Sequence, residues 1–293
     1  MQPTWSGVYS AVTTPFRNGG AAVDYLSFPN HLRWQVGAGV VGIITAGSLG
    51  SGRLLSADEK VLLVAHAKQA FAGRTPAVPV IGTIYESSTA AALDVLHGYA
   101  REGADGVMLL PPRDAASCRW DAVQCYLDAV LGATDLEVML YSNPAYREFT
   151  PEQIAALAMR HPNLKAVKDS SGRCWQITAI KLAAPQLHCF HGLDTMVCEP
   201  GADGWVSGMT NFAPGEATVL WSKCALGRGG SDFKRLYPLL ALDTRPGPGF
   251  IEAITAAQGW AGFPTTLRPP YMVPDDEAEI RELCERIMRA AAS

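Results

Sequence analysis

The chain has 293 residues, of which 48% are hydrophobic and 18% are charged, so it can bury a large core and does not have the composition of a disordered protein. Its formal net charge is -4, and Lys and Arg do not cluster in a stripe, which argues against a nucleic-acid partner. One large globular domain is the first expectation.

Short apolar runs alternate with longer segments of helical periodicity, a pattern typical of repeated strand and helix. Helix starts are marked by Ser56 with Glu59, and by Thr150 with Pro151 and Gln153. The predicted strands cover, in chain order, residues 8–13, 40–46, 78–83, 106–110, 137–141, 164–168, 188–191 and 205–207.

Eight strands that are each followed by a helix can close into a (β/α)8 TIM barrel or remain an open doubly wound sheet. No glycine-rich dinucleotide fingerprint follows the first strand, which favours the barrel. Beyond about Leu220 the strand pattern stops, and helices are predicted near residues 231–242, 248–258 and 275–291. We therefore expect an α/β barrel over residues 1–220 and a C-terminal helical extension over residues 221–293, packed on the barrel.

The sequence indicates neither secretion, nor a membrane span, nor a metal site. The start, from Met1 to Trp5, lacks a basic region followed by an apolar stretch, so a cytoplasmic location is expected. The seven cysteines are scattered without a C-x-x-C pair and are expected to be reduced and mostly buried. His188 and His191 form an H-x-x-H on a predicted strand, without the further ligands that a metal needs.

Reactive side chains matter most at the carboxyl ends of barrel strands, where such enzymes place their active sites. Lys168 ends the sixth predicted strand, and alternation places it on one face with Leu164 and Ala166. If that face is interior, partial desolvation lowers the lysine pKa and provides the free amine that attacks a carbonyl carbon. The alternatives are a solvated lysine and an ion pair with Asp169.

Tyr141 ends the fifth predicted strand, immediately before the strand of Lys168. Adjacent parallel strands lie about 4.8 Å apart, so the phenol and the amine can reach the same bound carbon. A phenol at this place can carry protons during addition and elimination. The alternative is an aromatic side chain at the rim, packed on Pro144.

A glycine-rich loop, residues 47–52 (GSLGSG), follows the second predicted strand. Its backbone N–H groups and hydroxyls suit a carboxylate, whereas a nucleotide-binding loop would need a following Gly-Lys-Ser/Thr. A flexible turn is the alternative. Asp194, after the seventh strand, is a candidate to bind a substrate hydroxyl or to cap the next helix.

In their order, these motifs resemble the family of dihydrodipicolinate synthase and N-acetylneuraminate lyase, barrels that form a Schiff base on lysine. The resemblance extends over essentially the whole chain. It rests on residues 14–16 (TPF), 47–51 in the place of the G-T-T-G-E loop, 141–144 (YSNP), 167–172 (VKDSSG), 192–194 (GLD) and 204–208 (GWVSG).

The resemblance implies that Lys168 forms an imine with the substrate, that Tyr141 relays protons, and that no cofactor or metal is needed. It also implies a small 2-oxo acid or cyclic imine as substrate and assembly into a homo-oligomer, a tetramer or a dimer. The substrate-binding residues that it implies are Gly47, Ser48, Leu49, Asp194, Val206 and Ser207.

Some positions depart from the family pattern. Leu49 and Ser51 replace the second threonine and the glutamate of the loop, so the synthase's hydroxyl relay is expected to be broken. Residues 110–113 (LPPR) replace a P-Y-Y-N motif, which removes the tyrosine that a neighbouring subunit contributes. The family's arginine after the fifth strand has only a shifted candidate, Arg147. These changes argue against dihydrodipicolinate synthesis.

Residues 141–146, 204–211 and 238–244 look more like one branch of the family, the 1-pyrroline-4-hydroxy-2-carboxylate deaminases. This likeness implies that the lysine amine attacks C2 of a cyclic imine and opens the ring, after which loss of water and hydrolysis release ammonia and a dioxo acid. The alternatives are a 2-keto-3-deoxy sugar acid aldolase or dehydratase, dihydrodipicolinate synthase, and a barrel that binds a 2-oxo acid without turnover.

Overall fold

The computed structural model describes residue 3 and residues 5–292, with the side chains of residues 290–292 left out. Met1, Gln2 and Thr4, on which the expectation about secretion partly rests, lie outside the described residues. Within the described part, eight parallel strands close into a barrel in which each strand pairs with its neighbours in sequence and the last pairs with the first. The strands are β1 Gly7–Ala11, β2 Gly42–Thr45, β3 Val80–Ile84, β4 Gly106–Leu109, β5 Glu137–Ser142, β6 Leu164–Asp169, β7 His188–His191 and β8 Gly204–Ser207. The predicted barrel and its strands are confirmed.

Helices cover the outside of the barrel and start where the sequence predicts. At the start of the second helix, Ser56 Oγ accepts from Glu59 N at 3.1 Å and the Glu59 carboxylate accepts from Ser56 N at 3.0 Å. Thr150 and Gln153 form the same reciprocal cap, with distances of 3.2 and 3.1 Å. The helices are α1 Phe28–Gly37, α2 Ala57–Ala70, α3 Thr89–Arg101, α4 Trp120–Leu131, α5 Pro151–Arg160, α6 Gln176–Ala183, α7 Pro214–Ala225, α8 Gly230–Leu240, α9 Gly249–Trp260 and α10 Glu277–Ala292.

Aromatic side chains fill the amino-terminal end of the barrel interior. Tyr9 and Phe190 are fully buried, and their ring centres lie 5.3 Å apart. Gly42 and Gly204 make room for them, because a Cβ atom at either position would lie 2.2 Å from a ring atom of Tyr9 or Phe190. Since this end is packed, open space inside the barrel is left at the carboxyl ends of the strands.

The C-terminal helices pack on the barrel through a second hydrophobic cluster. It joins Val8 of β1 and Trp205 of β8 to Leu239, Ile254 and Ile280 of α8, α9 and α10. The predicted boundary at residue 220 falls inside α7, so the division into barrel and extension stays a prediction. None of the helices in the described residues combines the length and apolar character that crossing a membrane requires.

The sequence did not predict two features. A short hairpin pairs Phe16–Arg17 with Ala22–Val23 after β1, and strands of two residues are too short to produce a recognisable period. The expectation that the cysteines are reduced and mostly buried is wrong: Cys198 and Cys224 are joined by a disulfide. These two cysteines are 26 positions apart and belong to no local motif, so only the tertiary packing brings them together. Three of the free cysteines are exposed, namely Cys118, Cys125 and Cys174.

Candidate active site

A cavity of about 250 Å³ lies at the carboxyl ends of the strands. Its walls come from the loop after β2, the ends of β5, β6 and β8, and residues 241–248, which join α8 to α9. Among the described residues that line it, the charged side chains are Lys168, Asp243 and Arg245. The cavity therefore combines one amine, one carboxyl group and one guanidinium.

Lys168 lies at the end of β6 with its side chain inside the barrel mouth. It is 7% exposed, it pairs in register with Tyr141 of β5, and its Nζ lies 4.3 Å from the centre of the Tyr141 ring. Gly192 makes room for the lysine stem, because a Cβ atom there would lie 2.7 Å from Lys168 Cε. The Asp169 carboxylate instead accepts from Ser171 Oγ at 2.8 Å. The alternatives of a solvated lysine and of a pair with Asp169 find no support in this placement.

Burial makes the charged form of the Lys168 amine less favourable than it is in water. Burial lowers the pKa of Lys168 to about 8, while the carboxyl groups of Asp243 and Asp194 oppose the shift. An amine with that pKa is uncharged for part of the time near neutral pH, and only the uncharged amine is nucleophilic. The side chain is therefore suited to attack an electrophilic carbon bound in the cavity.

Tyr141 is held by hydrogen bonds to its hydroxyl group. Asn143 Nδ2 donates to Tyr141 Oη at 2.8 Å, and Asn143 Oδ1 accepts from Ala145 N at 2.8 Å, which fixes the orientation of the amide. Ser170 Oγ lies 3.2 Å from the same phenol oxygen. Burial raises the pKa of Tyr141 to about 12, so the phenol keeps its proton at neutral pH. It is placed to donate that proton next to Lys168.

The loop after β2 is tightly packed. Ala46 has a φ of 54°, and left-handed backbone at a residue other than glycine is held in place only by its surroundings. A Cβ atom at Gly50 would lie 2.8 Å from Val12 O, and one at Gly52 would lie 1.9 Å from Ala46 O. These contacts favour a fixed loop over a flexible turn.

Three residues of this loop, Gly47, Ser48 and Leu49, line the cavity as the sequence predicts for a carboxylate site. In the described part of the protein, the backbone N–H groups of Ser48 and Leu49 are not among the donors of any hydrogen bond. Unpaired N–H groups beside a cavity are suitable donors to an anion. The loop can therefore receive a carboxylate without a cationic side chain.

Tyr146, which the sequence reasoning missed, supplies a further hydroxyl group. Its Oη donates to Ser48 Oγ at 2.7 Å, and its ring lies 5.1 Å from that of Tyr85 and 5.9 Å from that of Tyr141. Burial raises the pKa of Tyr146, so it too keeps its proton. A pair of hydroxyl groups from one chain therefore lines the cavity, and the expected break in the synthase's relay stays a prediction.

Two of the substrate-binding predictions are not supported by position. The Asp194 carboxylate is fully buried and accepts from Trp205 Nε1, Gly208 N and Met209 N at 3.1, 3.1 and 2.8 Å. Ser207 is buried on the face of β8 opposite to Val206. Val206 and Gly208 line the cavity, whereas Asp194 and Ser207 do not. This arrangement favours structural roles for Asp194 and Ser207, so their contact with a substrate stays a prediction without geometric support.

Asp243, also missed from the sequence, reaches the cavity from the segment between α8 and α9. It is half-buried, and its Oδ2 accepts from Asp194 N at 3.2 Å. Burial raises the pKa of Asp243, and the charge of Lys168 opposes that shift. Residues 238–244 are among those that suggested the deaminase branch, but no strand end or helix start marks Asp243 itself as a site residue, because its place at the cavity depends on how the C-terminal helices pack on the barrel.

Arg147 and Arg245, the arginines near the barrel mouth, already donate hydrogen bonds to other protein groups. Arg147, the shifted candidate for the family's arginine, donates to the carbonyl groups of Ala115 and Cys118 at 2.7 Å and does not line the cavity. Arg245 does line it, but its guanidinium makes hydrogen bonds of 3.1 and 2.7 Å to the carboxylate of Asp276. The loop N–H groups are therefore the better candidates for binding a substrate carboxylate.

Metal-binding side chains do not cluster in the part of the chain that the structure describes, where no group of three or more His, Cys, Asp or Glu residues converges. His188 is exposed, whereas His191 is buried with its Nε2 2.8 Å from Glu199 O, so these two imidazoles do not point to a shared site. The functional groups at the cavity include an amine, phenols, a serine hydroxyl, a carboxyl group and a guanidinium.

Known proteins are similar to this chain in sequence and in fold. A profile of the dihydrodipicolinate synthetase family matches residues 4–286. The chain is 30% identical over 302 residues to a 4-hydroxy-tetrahydrodipicolinate synthase from Macrococcus caseolyticus, with 99% of both proteins covered. It is 32% identical over 215 residues to a probable 5-dehydro-4-deoxyglucarate dehydratase from Corynebacterium glutamicum, with 71% of this chain and 66% of that protein covered.

Solved structures agree with this relationship. A putative dihydrodipicolinate synthetase from Pseudomonas aeruginosa aligns with a TM-score of 0.88 at 26% identity, covering 96% of this chain and 99% of that one. A prophage protein of the same family from E. coli K12, solved in complex with pyruvate, has the same fold, with a TM-score of 0.88 at 22% identity over 98% of this chain and 99% of that one. The chain belongs to the dihydrodipicolinate synthetase family of lyases.

Proposed function

We propose that this lyase works through a Schiff base between Lys168 and a small 2-oxo acid or cyclic imine. The observation that carries the proposal is the buried amine of Lys168, which lies in the cavity over the ring of Tyr141. The cavity of about 250 Å³ is smaller than sites for drug-sized ligands, which measure about 300–1,000 Å³. Its size suits an acid of a few carbons.

In the proposed reaction with a 2-oxo acid, the carboxylate binds at the N–H groups of Ser48 and Leu49. The amine of Lys168 adds to C2, a proton moves from nitrogen to the former carbonyl oxygen, and that oxygen then leaves as water when the imine forms. Tyr141 and the hydroxyl pair of Tyr146 and Ser48 are the groups near the cavity that can carry these protons.

The substrate that we propose is a hydroxylated pyrroline carboxylate, on the likeness of residues 141–146, 204–211 and 238–244 to the 1-pyrroline-4-hydroxy-2-carboxylate deaminases. Lys168 adds to C2 of the ring imine, and the bond from C2 to the ring nitrogen then breaks, leaving an imine on Lys168 and a primary amine on the opened chain. Loss of the C3 proton and the C4 hydroxyl group releases one water, and tautomerisation moves a C=N bond to C5. Hydrolysis of the two imines consumes two waters and releases ammonia and a five-carbon dioxo acid, so the balance is one water taken up per ammonia released.

A second candidate is dehydration of a 2-keto-3-deoxy sugar acid, favoured by the similarity to the probable 5-dehydro-4-deoxyglucarate dehydratase. It would use the same lysine. Synthesis of dihydrodipicolinate is less well supported despite the similarity to a synthase, because Leu49 and residues 110–113 replace hydroxyl-bearing residues of that family's motifs. Assembly into a dimer or tetramer stays a prediction that light scattering tests.

Reductive trapping tests the proposal. The protein is incubated with borohydride and, in separate reactions, pyruvate, a 2-keto-3-deoxy sugar acid or hydroxypyrroline carboxylate, and the modified peptide is identified by mass spectrometry. We expect an adduct on Lys168 that is lost in Lys168→Ala and kept in Lys165→Ala, a lysine on the opposite face of β6. Trapping without turnover of any substrate would indicate a binding protein, and no adduct on Lys168 with any substrate would refute the Schiff base.

A further inference from the structure

We propose that Asp243 binds a cationic nitrogen of the substrate, so that the cavity selects 2-oxo acids and cyclic imines that carry a protonatable nitrogen and discriminates against substrates with a second carboxylate. The inference rests on the proposed Schiff base at Lys168 and adds the class of substrate that reaches it.

The position of Asp243 gives it one free hydrogen-bond acceptor at the cavity. Its Oδ2 accepts from Asp194 N at 3.2 Å, and among the described residues its Oδ1 accepts no hydrogen bond. Asp243 lines the cavity together with Lys168. Asp243 raises the pKa of Lys168 through its charge rather than through a hydrogen bond. Since the two groups are not in direct contact, substrate atoms can occupy the space between them.

The balance of charge in the cavity changes during the proposed reaction. In the free protein, the ammonium group of Lys168 compensates the carboxylate of Asp243. Lys168 must lose its proton before it attacks, and a partly buried carboxylate without a compensating charge is unfavourable. A positive nitrogen on the substrate restores the compensation at that moment.

Arg245, the other cationic side chain at the cavity, is not a substitute for the substrate nitrogen. Both of its terminal nitrogens are bonded to the carboxylate of Asp276, so its charge is already paired. Asp243 is therefore the charged group at this cavity, among the described residues, that remains available to a ligand once Lys168 has reacted.

This arrangement ranks the two candidate substrate classes. A pyrroline nitrogen, or the primary amine that ring opening releases, can carry a proton and donate to Asp243. A second carboxylate of a sugar diacid placed next to Asp243 would instead repel its charge, because two neighbouring like charges oppose ionisation.

The test compares substrates within each variant, so that a change in Lys168 itself cancels. For the wild type, Asp243→Asn and the control Asp232→Asn, kcat/KM with hydroxypyrroline carboxylate is divided by the rate of borohydride trapping with pyruvate, which has one carboxylate and no other charge. Asp232 pairs with Lys223 on the surface, so the control makes the same chemical change away from the cavity. The rate of borohydride trapping with the diacid 5-dehydro-4-deoxyglucarate is likewise divided by the rate with pyruvate.

We expect Asp243→Asn to lower the ratio for the nitrogen-bearing substrate about tenfold to a hundredfold, as for loss of a hydrogen bond to a charged group, and to raise the ratio for the diacid. Asp232→Asn should change neither ratio. An unchanged ratio in Asp243→Asn would overturn the proposal.

The wild type alone keeps the proposal testable if Asp243→Asn does not fold. Wild-type protein that is trapped by the diacid at least as fast as by pyruvate at pH 8 and above would also overturn it. Failure of the Schiff base itself is distinct, because no substrate, including pyruvate, would then be trapped on Lys168.

Discussion

Raising the pH from 6 to 10 removes the proton from the amine of Lys168, the nucleophile of the proposed chemistry. With the pKa of Lys168 lowered to about 8 by burial, roughly one tenth of the amine is uncharged at pH 7, against roughly one part in 3,000 for an unshifted lysine. The free amine is thus about 300-fold more abundant than at an ordinary lysine. Adduct formation with pyruvate should rise about 50-fold from pH 6 to pH 8 and only about twofold from pH 8 to pH 10.

The assay measures the initial rate of adduct formation by intact-protein mass spectrometry, with cyanoborohydride as the reductant and saturating pyruvate. Lys168→Ala, measured at each pH, gives the background from other lysines. A rate that continues to rise tenfold per pH unit up to pH 10 would show an ordinary, solvated lysine and would refute the argument from burial.

Three substitutions test the surroundings of the amine. Gly192→Ala brings a Cβ atom within 2.7 Å of Lys168 Cε, so the lysine must shift. We expect kcat to fall about a hundredfold, while circular dichroism shows that the fold is retained. Turnover at the wild-type rate would contradict this. Tyr146→Phe removes the hydroxyl that donates to Ser48. We expect kcat to fall about a hundredfold or more while the melting temperature stays unchanged. A change in kcat below twofold would exclude a role of Tyr146 in proton transfer. Asp194→Asn places an amide donor opposite the Met209 N–H, and urea unfolding should show a loss of about 1–3 kcal/mol; equal stability would mean that this carboxylate does not hold the turn after β8.

The barrel could be predicted from the sequence because its signals are local. Each strand is a short apolar run, and helices such as α2 and α5 begin at capping boxes that the structure contains. The disulfide between Cys198 and Cys224 and the packing of the C-terminal helices depend on contacts between distant segments. A single sequence carries no pattern for such contacts.

The same distinction applies to the cavity. Lys168, Tyr141 and the loop after β2 are found from the sequence because they end strands, and the barrel brings strand ends together. Alternation along β8 could have excluded Ser207, since it and Val206 lie on opposite faces. Asp243 could not have been found in this way, because it comes from a turn outside the barrel.

A crystal structure of the protein soaked with pyruvate, without any reductant, tests the central claim most directly. We predict continuous electron density from Lys168 Nζ to C2 of the ligand, with the ligand carboxylate hydrogen-bonded to the backbone N–H groups of Ser48 and Leu49. Pyruvate bound at the cavity with no bond to Lys168, or bonded to another lysine, would contradict the proposed chemistry and leave only the fold and the family established.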